Sequence, residues 1–314
     1  MCTRIFWNDN AVAKTVSRCM DWAVSDEPEL WFVPRGTARV GDPDDPNALR
    51  WVSRYSSVAV SMWNMGTVDG LNEKGLGAHA LYLDPADVEF PPVDERPSIS
   101  LALWVQYLLD SFATVAEAVA AIDEVRIHTR ELRGQYLGVH IALEDPSGDS
   151  AVIEPIGGRL VVHHGPEFTV MANSPSLDAQ LANLERYRPF GGELPPPGDI
   201  TSLDRFVRAS YFLHYLPEPE NQEQAVAGVF QLITNVSVPY GAPYSDGGVY
   251  PTWWQSAADL TDGVYYFGST RSPSIFWVPL EGLADGTEVL RLDPRDESLV
   301  GDATDRLVPA TLPY

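Results

Sequence analysis

Along this chain, apolar and polar positions alternate in short runs more often than they recur at helical spacing. CTRIFW at 2–7 and AKTVSRCMDW at 13–22 read as strands, with 8–10 as the turn between them. Such a hairpin sets residues 18–21 back beside Cys2. SVAVSMWN at 57–64 and GLGAHALYL at 75–83 also read as strands, separated by turns at Asp69-Gly70 and over 72–75. ISLALWVQYLLDSF at 99–112 carries a helical pattern. Thr114 with Glu117 makes a capping box for a second helix in TVAEAVAAID. Strands follow at 135–145, 149–158, 159–164 and 168–174, with hairpin turns at Ser147-Gly148 and Gly157-Gly158. Helical patterns recur at 177–187, 202–214 and 221–234, and strands return at 263–267 and 275–278. Antiparallel strands with grouped helices predict an α+β fold with helices packed on sheet faces. The turn-rich stretches GDPDDPN at 41–47 and FGGELPPPGD at 190–199 read as loops, so 1–314 is expected to be one domain.

Composition narrows the function classes. With 44 acidic and 21 basic residues the net charge is −23. Solubility accounts for most of that charge, and it also repels phosphate backbones and anionic lipid surfaces. Nucleic acid and membrane partners are therefore not expected. No apolar run approaches the ~18 residues of a membrane helix. The two cysteines, Cys2 and Cys19, cannot build a disulfide framework, and Cys19 is expected to pack as a small apolar residue. No apolar leader precedes Cys2, so a cytoplasmic location is expected. The six histidines fall in no HExxH arrangement, and the chain has neither paired CxxC nor GxSxG nor a phosphate-binding GK[ST] loop. No catalytic metal is expected.

The chain opens MCTR. Some residue must come second, so the position alone means little. A small second residue does permit removal of Met1. Cys2 would then carry a thiol and a free α-amine, whose reference pKa near ~8 lets a useful fraction act as a base at neutral pH. A thiol beside its own base is a self-contained nucleophile.

The stretches MCTR at 1–4, SRCMDW at 17–22, GLNEKGLGAHALYL at 70–83, MANSP at 171–175 and SLDRFVRASY at 202–211 occur in that order along nearly the whole chain. NVSVPYG at 235–241 and the late aromatic strands fit with them. In these segments the sequence resembles the cholylglycine hydrolase and penicillin V acylase family of N-terminal-nucleophile hydrolases. The resemblance implies a four-layer αββα sandwich with mainly antiparallel sheets. It also implies cofactor-free hydrolysis of linear amide C–N bonds through a thioester at Cys2.

Site roles follow from the same resemblance. Cys2 attacks the amide carbonyl and its α-amine takes the thiol proton. Arg18 favours the thiolate and Asp21 holds the α-amine. The Asn173 side chain and the Tyr82 backbone N–H receive the oxyanion, and Arg205 supplies a second cation. Arg208, one turn on, is expected to be a structural ion-pair residue. Read alone, Arg18 is a solvated strand arginine, Asp21 a turn acid and Asn173 a turn asparagine. Strand faces alternate, so Arg18 and Asp21 both reach Cys2 only across a bulge or a strand end.

Bile-salt-cleaving members of the family carry asparagine where this chain has Tyr82, and penicillin V acylases carry an aromatic residue. Tyr82 with Trp22 implies a flat apolar wall suited to a phenoxyacetyl or acyl group, as in the branch that also cleaves N-acyl homoserine lactones. Core packing is the other reading of these aromatics. The expected substrate is a small-molecule amide between an apolar acyl group and a small polar amine. Bile salt hydrolysis is the alternative within the enzyme class. A non-catalytic binder of acylated ligands is the alternative outside it. The resemblance alone implies a homotetramer.

Overall fold

A computed structural model of the chain describes residues 1–129 and 131–314. Strand β1 (Cys2–Trp7) pairs antiparallel with β2 (Thr15–Asp21), as the alternation predicts. They sit near one end of a seven-stranded sheet. Its order is Val170–Met171, β1, β2, Thr252–Asp259, Val264–Ser269, Ile275–Pro279 and Gly301–Asp302. Only the last pair is parallel. A second sheet of nine antiparallel strands runs from Arg159–His164 through Ser150–Ile156, Gly138–Glu144, Gly77–Leu83, Gly66–Asn72, Ser57–Met62 and Glu29–Val33 to the short strands Leu290–Leu292 and Val308–Pro309.

Among the described residues five α-helices complete the layers: α1 (Trp104–Ser111), α2 (Val115–Ala120), α3 (Leu177–Leu184), α4 (Ser202–His214) and α5 (Gln222–Val236). The helices α4 and α5 pack on β1 and β2, and α1 packs on Gly66–Asn72 and Gly77–Leu83. The result is the expected α/β/β/α order. Every residue of β1 and β2 is buried, because a helix layer covers one face and the second sheet the other. Local signals set the helix starts. Thr201 accepts from Asp204 N at 3.3 Å to open α4, and Asn221 accepts from Gln224 N at 2.9 Å to open α5. Thr114 caps α2 in the same way, with Glu117 N at 3.2 Å.

Several sequence expectations need correction. Asp69-Gly70 is not a turn but the middle of the buried strand Gly66–Asn72. The chain reverses earlier, at Trp63 and Asn64, which have φ of 54° and 53°. Asp69 is tolerated there because it is fully paired, as described below. Gly70 is required by close approach, since a Cβ would lie 2.7 Å from Leu109 Cδ1 of α1 and 2.7 Å from Val58 O. Gly70→Ala is therefore expected to overpack this seam and cost about 1–3 kcal/mol, read as a lowered thermal midpoint. An unchanged midpoint would show that α1 can move aside.

The helical pattern at 99–112 divides into a short strand Ser98–Ser100, a 3₁₀ turn and α1. In 135–145, Gln135–Tyr136 belongs to a separate small hairpin and the sheet strand is Gly138–Glu144. FTVMANS contributes only Val170–Met171. Glu29–Val33 and Thr252–Asp259 are strands that the alternation did not reveal. The first is the apolar run 30–33 behind the buried Glu29, with no alternation because every residue is buried. The second has its register broken by a shift between Thr252 and Trp254.

Candidate active site

The β1–β2 register determines what lies beside Cys2. Cys2 pairs with Met20, so its side chain shares a face with Met20 and with Arg18 two residues back. Arg18 Nη2 lies 3.6 Å from Cys2 Sγ and 3.3 Å from Met20 Sδ. Its Nη1 donates to Val68 O at 2.7 Å and lies 3.3 Å from Asp69 Oδ1. The guanidinium rests over the Trp254 ring, 4.9 Å from its centroid. Burial alone would depress the Arg18 pKa, but the Cys2 sulfur and Asp69 outweigh it, so the pKa rises above its ordinary value. Arg18 is thus a buried cation at the thiol and not a solvated strand arginine.

Asp21 lies on the opposite face, as strict alternation requires. Its carboxylate accepts from Thr252 Oγ1 at 2.5 Å, lies 3.6 Å from Cys19 Sγ and is 3.8 Å from Arg205 Nη1. The irregularity falls on the neighbouring strand, between Thr252 and Trp254, where Asp21 and Met20 are its partners. Arg18 and Asp21 therefore flank the start of β1 from two sides. Cys19 is fully buried on the Asp21 face, and burial pushes its thiol pKa well up, which keeps it an inert packing residue.

Asn173 and Arg205 complete the surroundings of Cys2. Asn173 Oδ1 accepts from Cys2 N at 2.6 Å and from Arg205 Nη2 at 2.8 Å, while its Nδ2 donates to Tyr82 O at 2.6 Å. Its backbone is pinned by Ser202 Oγ and Gln180 Nε2, each at 2.9 Å. Arg205 is fully buried. It donates to Cys2 O at 2.5 Å, to Thr3 Oγ1 and, through Nε, to Ile200 O at 3.0 Å. Arg208 does not share this site. It donates to the carbonyls of Pro197 and Asp199 and holds the Pro-rich loop. Its partners in those bonds are carbonyls and not the carboxylate of the expected ion pair.

Tyr82 sits where the second sheet opens. Pairing of Gly77–Leu83 with Gly66–Asn72 stops at His79, while pairing with Gly138–Glu144 continues to Leu83. Because the Tyr82 carbonyl faces Asn173, its N–H points to the same side, as in any strand residue. The Tyr82 ring meets Trp22 edge-on at 5.1 Å between centroids. Both line a cleft of about 840 Å³ with Trp63, Tyr136, Tyr244 and Tyr250. Met1 lines the same cleft. It extends the β1–β2 ladder by one step, with Asp21 N donating to Met1 O at 2.7 Å and Met1 N donating to Asp21 O.

The structure thus brings Cys2, Arg18, Asp21, Asn173, Arg205, Tyr82 and Trp22 to one place. Sequence reading missed what stands behind Arg18. Asp69 accepts from Ser256 Oγ at 2.8 Å and from the Tyr265 hydroxyl, and it also faces His79. A signal was present, since Asp69 and His79 are polar residues inside apolar strands, where an unpaired polar group would be costly.

Two mainly antiparallel sheets between helix layers make the fold of the N-terminal-nucleophile hydrolases, here with Cys2 at the head of an inner strand and the buried Arg18 on the strand beside it. The chain belongs to the choloylglycine hydrolase family of linear amide C–N hydrolases, whose pattern matches residues 2–288. It is accordingly a hydrolase of linear amide bonds. It is 38% identical over 307 residues to the penicillin V acylase of Pectobacterium atrosepticum, covering 89% of this chain and 81% of the relative. The solved structure of penicillin V acylase from Agrobacterium tumefaciens superposes with a TM-score of 0.89 at 37% identity, covering 99% of this chain and 98% of the other. A bile salt hydrolase/transferase of Bifidobacterium longum is 22% identical over 302 residues, covering 88% of this chain and 94% of the relative. No helix among the described residues is long and apolar enough to cross a membrane.

Proposed function

We propose that this chain is an N-terminal-cysteine acylase that releases a small polar amine from an apolar acyl group, with penicillin V and N-acyl homoserine lactones as its leading substrates. The observation that carries this choice is the Trp22–Tyr82 pair on the cleft wall beside Met1. A flat apolar acyl group can bury surface there at about 25 cal/mol per Å². A steroid brings hydroxyls that cost about 1–3 kcal/mol each when buried without partners.

The mechanism requires Met1 to be removed. A peptide-bonded nitrogen at Cys2 has no basic lone pair, and Met1 fills part of the cleft. Once Met1 is gone, the Cys2 α-amine takes the thiol proton and the thiolate, held by Arg18, attacks the amide carbonyl. The oxyanion is received by the Tyr82 N–H and by the second N–H of Asn173 Nδ2, the first being engaged by the Tyr82 carbonyl. The ammonium at Cys2 returns its proton to the leaving amine. Water then hydrolyses the thioester by the same sequence of transfers. Asp21 and Asn173 Oδ1 orient the α-amine, and Arg205 fixes Asn173.

Released amine, assayed side by side, tests the substrate choice. Penicillin V or an N-acyl homoserine lactone is expected to exceed glycocholate and taurocholate by at least about tenfold in kcat/KM, a difference of about 1.4 kcal/mol. A larger rate on glycocholate would transfer the reading to bile salts. No cleavage of any amide by protein with a confirmed free Cys2 would leave a binding role.

A further inference from the structure

The space between the two sheets holds a chain of charged side chains of which the reaction scheme uses only Arg18. Arg18 faces Asp69, Asp69 faces His79, His79 faces Glu144, and Glu144 faces Arg4. All five are buried. His79 Nδ1 meets Asp69 Oδ1 and His79 Nε2 meets Glu144 Oε1. A neutral imidazole can donate from only one nitrogen, and both Asp69 and Glu144 are held below the usual carboxylate range by their cationic partners, so a ring between these two ionised carboxylates carries both protons. Three cations then face two carboxylates, and one positive charge is in excess. The chain ends 3.6 Å from the Cys2 sulfur, at Arg18 Nη2.

We propose that His79 is a positioning residue for amide hydrolysis: as an imidazolium clamped between Asp69 and Glu144, it fixes Asp69 against Arg18 and so sets both the place and the net charge of the guanidinium at Cys2. The proposal rests on the reading of Cys2 as the nucleophile. Asp69 has no other full positive charge than Arg18 and His79 among its described partners, and Ser256 and Tyr265 supply only hydroxyls. Without the imidazolium, Asp69 and Glu144 would draw more of the charge of Arg18 and Arg4, leaving less for the thiolate. The charges of the two carboxylates outweigh burial and raise the His79 pKa to about 9. Burial would raise Asp69, but the facing His79 and Arg18 outweigh it and lower Asp69 to about 2. Tyr265, whose hydroxyl burial keeps protonated, and Asp26 also act on Arg18. Burial raises Asp26 to about 6, so above that pH its charge opposes the excess.

The test is the pH dependence of Cys2 alkylation by iodoacetamide on enzyme lacking Met1, with the alkylated site located by mass mapping. In His79→Gln the midpoint is expected to rise by at least about one unit, a tenfold loss of thiolate below it. In Glu144→Gln one negative charge is removed, and the midpoint is expected to fall or stay. A merely structural role predicts the same direction for both variants, and that result, or an unmoved midpoint in His79→Gln, overturns the proposal. A measurement on the unmodified enzyme covers the case in which a variant fails to fold. Nitrogen-15 imidazole spectra at pH 7, with the ring assigned by through-bond correlation, are expected to show His79 protonated at both nitrogens, whereas a neutral His79 ring would refute the clamp. Alkylation reads the thiol whatever its role. Retained turnover in Cys2→Ala would sink the nucleophile assignment separately.

Discussion

Cys2→Ala is expected to reduce amide hydrolysis to background, a loss of about 10⁴-fold or more in kcat, while the protein stays folded. No other side chain near the reaction centre can replace the sulfur. Cys19 lies on the other face of the hairpin and burial holds it as a thiol. The substitution deletes one buried atom at the first position of β1, so its stability cost should be about 1 kcal/mol and the thermal midpoint should shift by only a few degrees. Cys2→Ser should keep trace activity, because a hydroxyl is a poorer nucleophile with this base. Retention of Met1 should be as damaging as loss of the sulfur, for a different reason. With Met1 in place the Cys2 nitrogen is an amide donating to Asn173 Oδ1, and Met1 occupies the cleft wall beside Trp22. Intact-mass measurement on a fully active preparation settles the point: a mass that still includes Met1 would exclude the α-amine as base.

Much of the site was legible because it depends on local geometry. The alternation on either side of the turn places Arg18 and Cys2 on one face of a hairpin, although the connection runs over 8–14 and is longer than the expected turn at 8–10. The helical pattern over 202–214 marks α4, and hence Arg205, at the observed bounds. The same alternation put Asp21 on the far face, and the structure keeps it there while the neighbouring strand carries the irregularity. What could not be read was pairing at long range. Asp69 is 51 residues from Arg18, and Tyr265 and Ser256 are 196 and 187 residues from Asp69. Alternation reports which face a residue occupies and is silent about which sheet that face meets. Asp-Gly therefore reads as a turn from its composition, although its real environment is a charged seam between two sheets. The strand Thr252–Asp259 was hidden for a related reason, since its register shift breaks the period that would have announced it.

Arg205→Ala is expected to lower kcat/KM by about 10²–10³-fold, whereas Arg208→Ala should change it by less than about threefold. The two arginines are one helical turn apart on α4, yet their surroundings differ completely. Arg205 is fully buried, and its donors go to Cys2 O, Thr3 Oγ1, Asn173 Oδ1 and Ile200 O. Removing it frees Asn173 to rotate, which misaims the amide N–H proposed to meet the oxyanion. It also leaves the buried Asp21 carboxylate without the cation 3.8 Å away. Breaking one side of a buried charge arrangement typically destabilises by about 3–5 kcal/mol, so a lower thermal midpoint should accompany the loss. Arg208 donates to the loop carbonyls at Pro197 and Asp199, away from Cys2 and Asn173. To separate rate from stability, kcat should be compared at a temperature where both variants are fully folded, together with Arg205→Lys. Lysine keeps the charge but cannot make the fork of contacts to Asn173 and Cys2 O, so it should recover stability more than rate. If Arg208→Ala proves the more damaging, or if Arg205→Lys is fully active, the site does not depend on the guanidinium of Arg205. Its place beside Asn173 would then be a matter of packing alone.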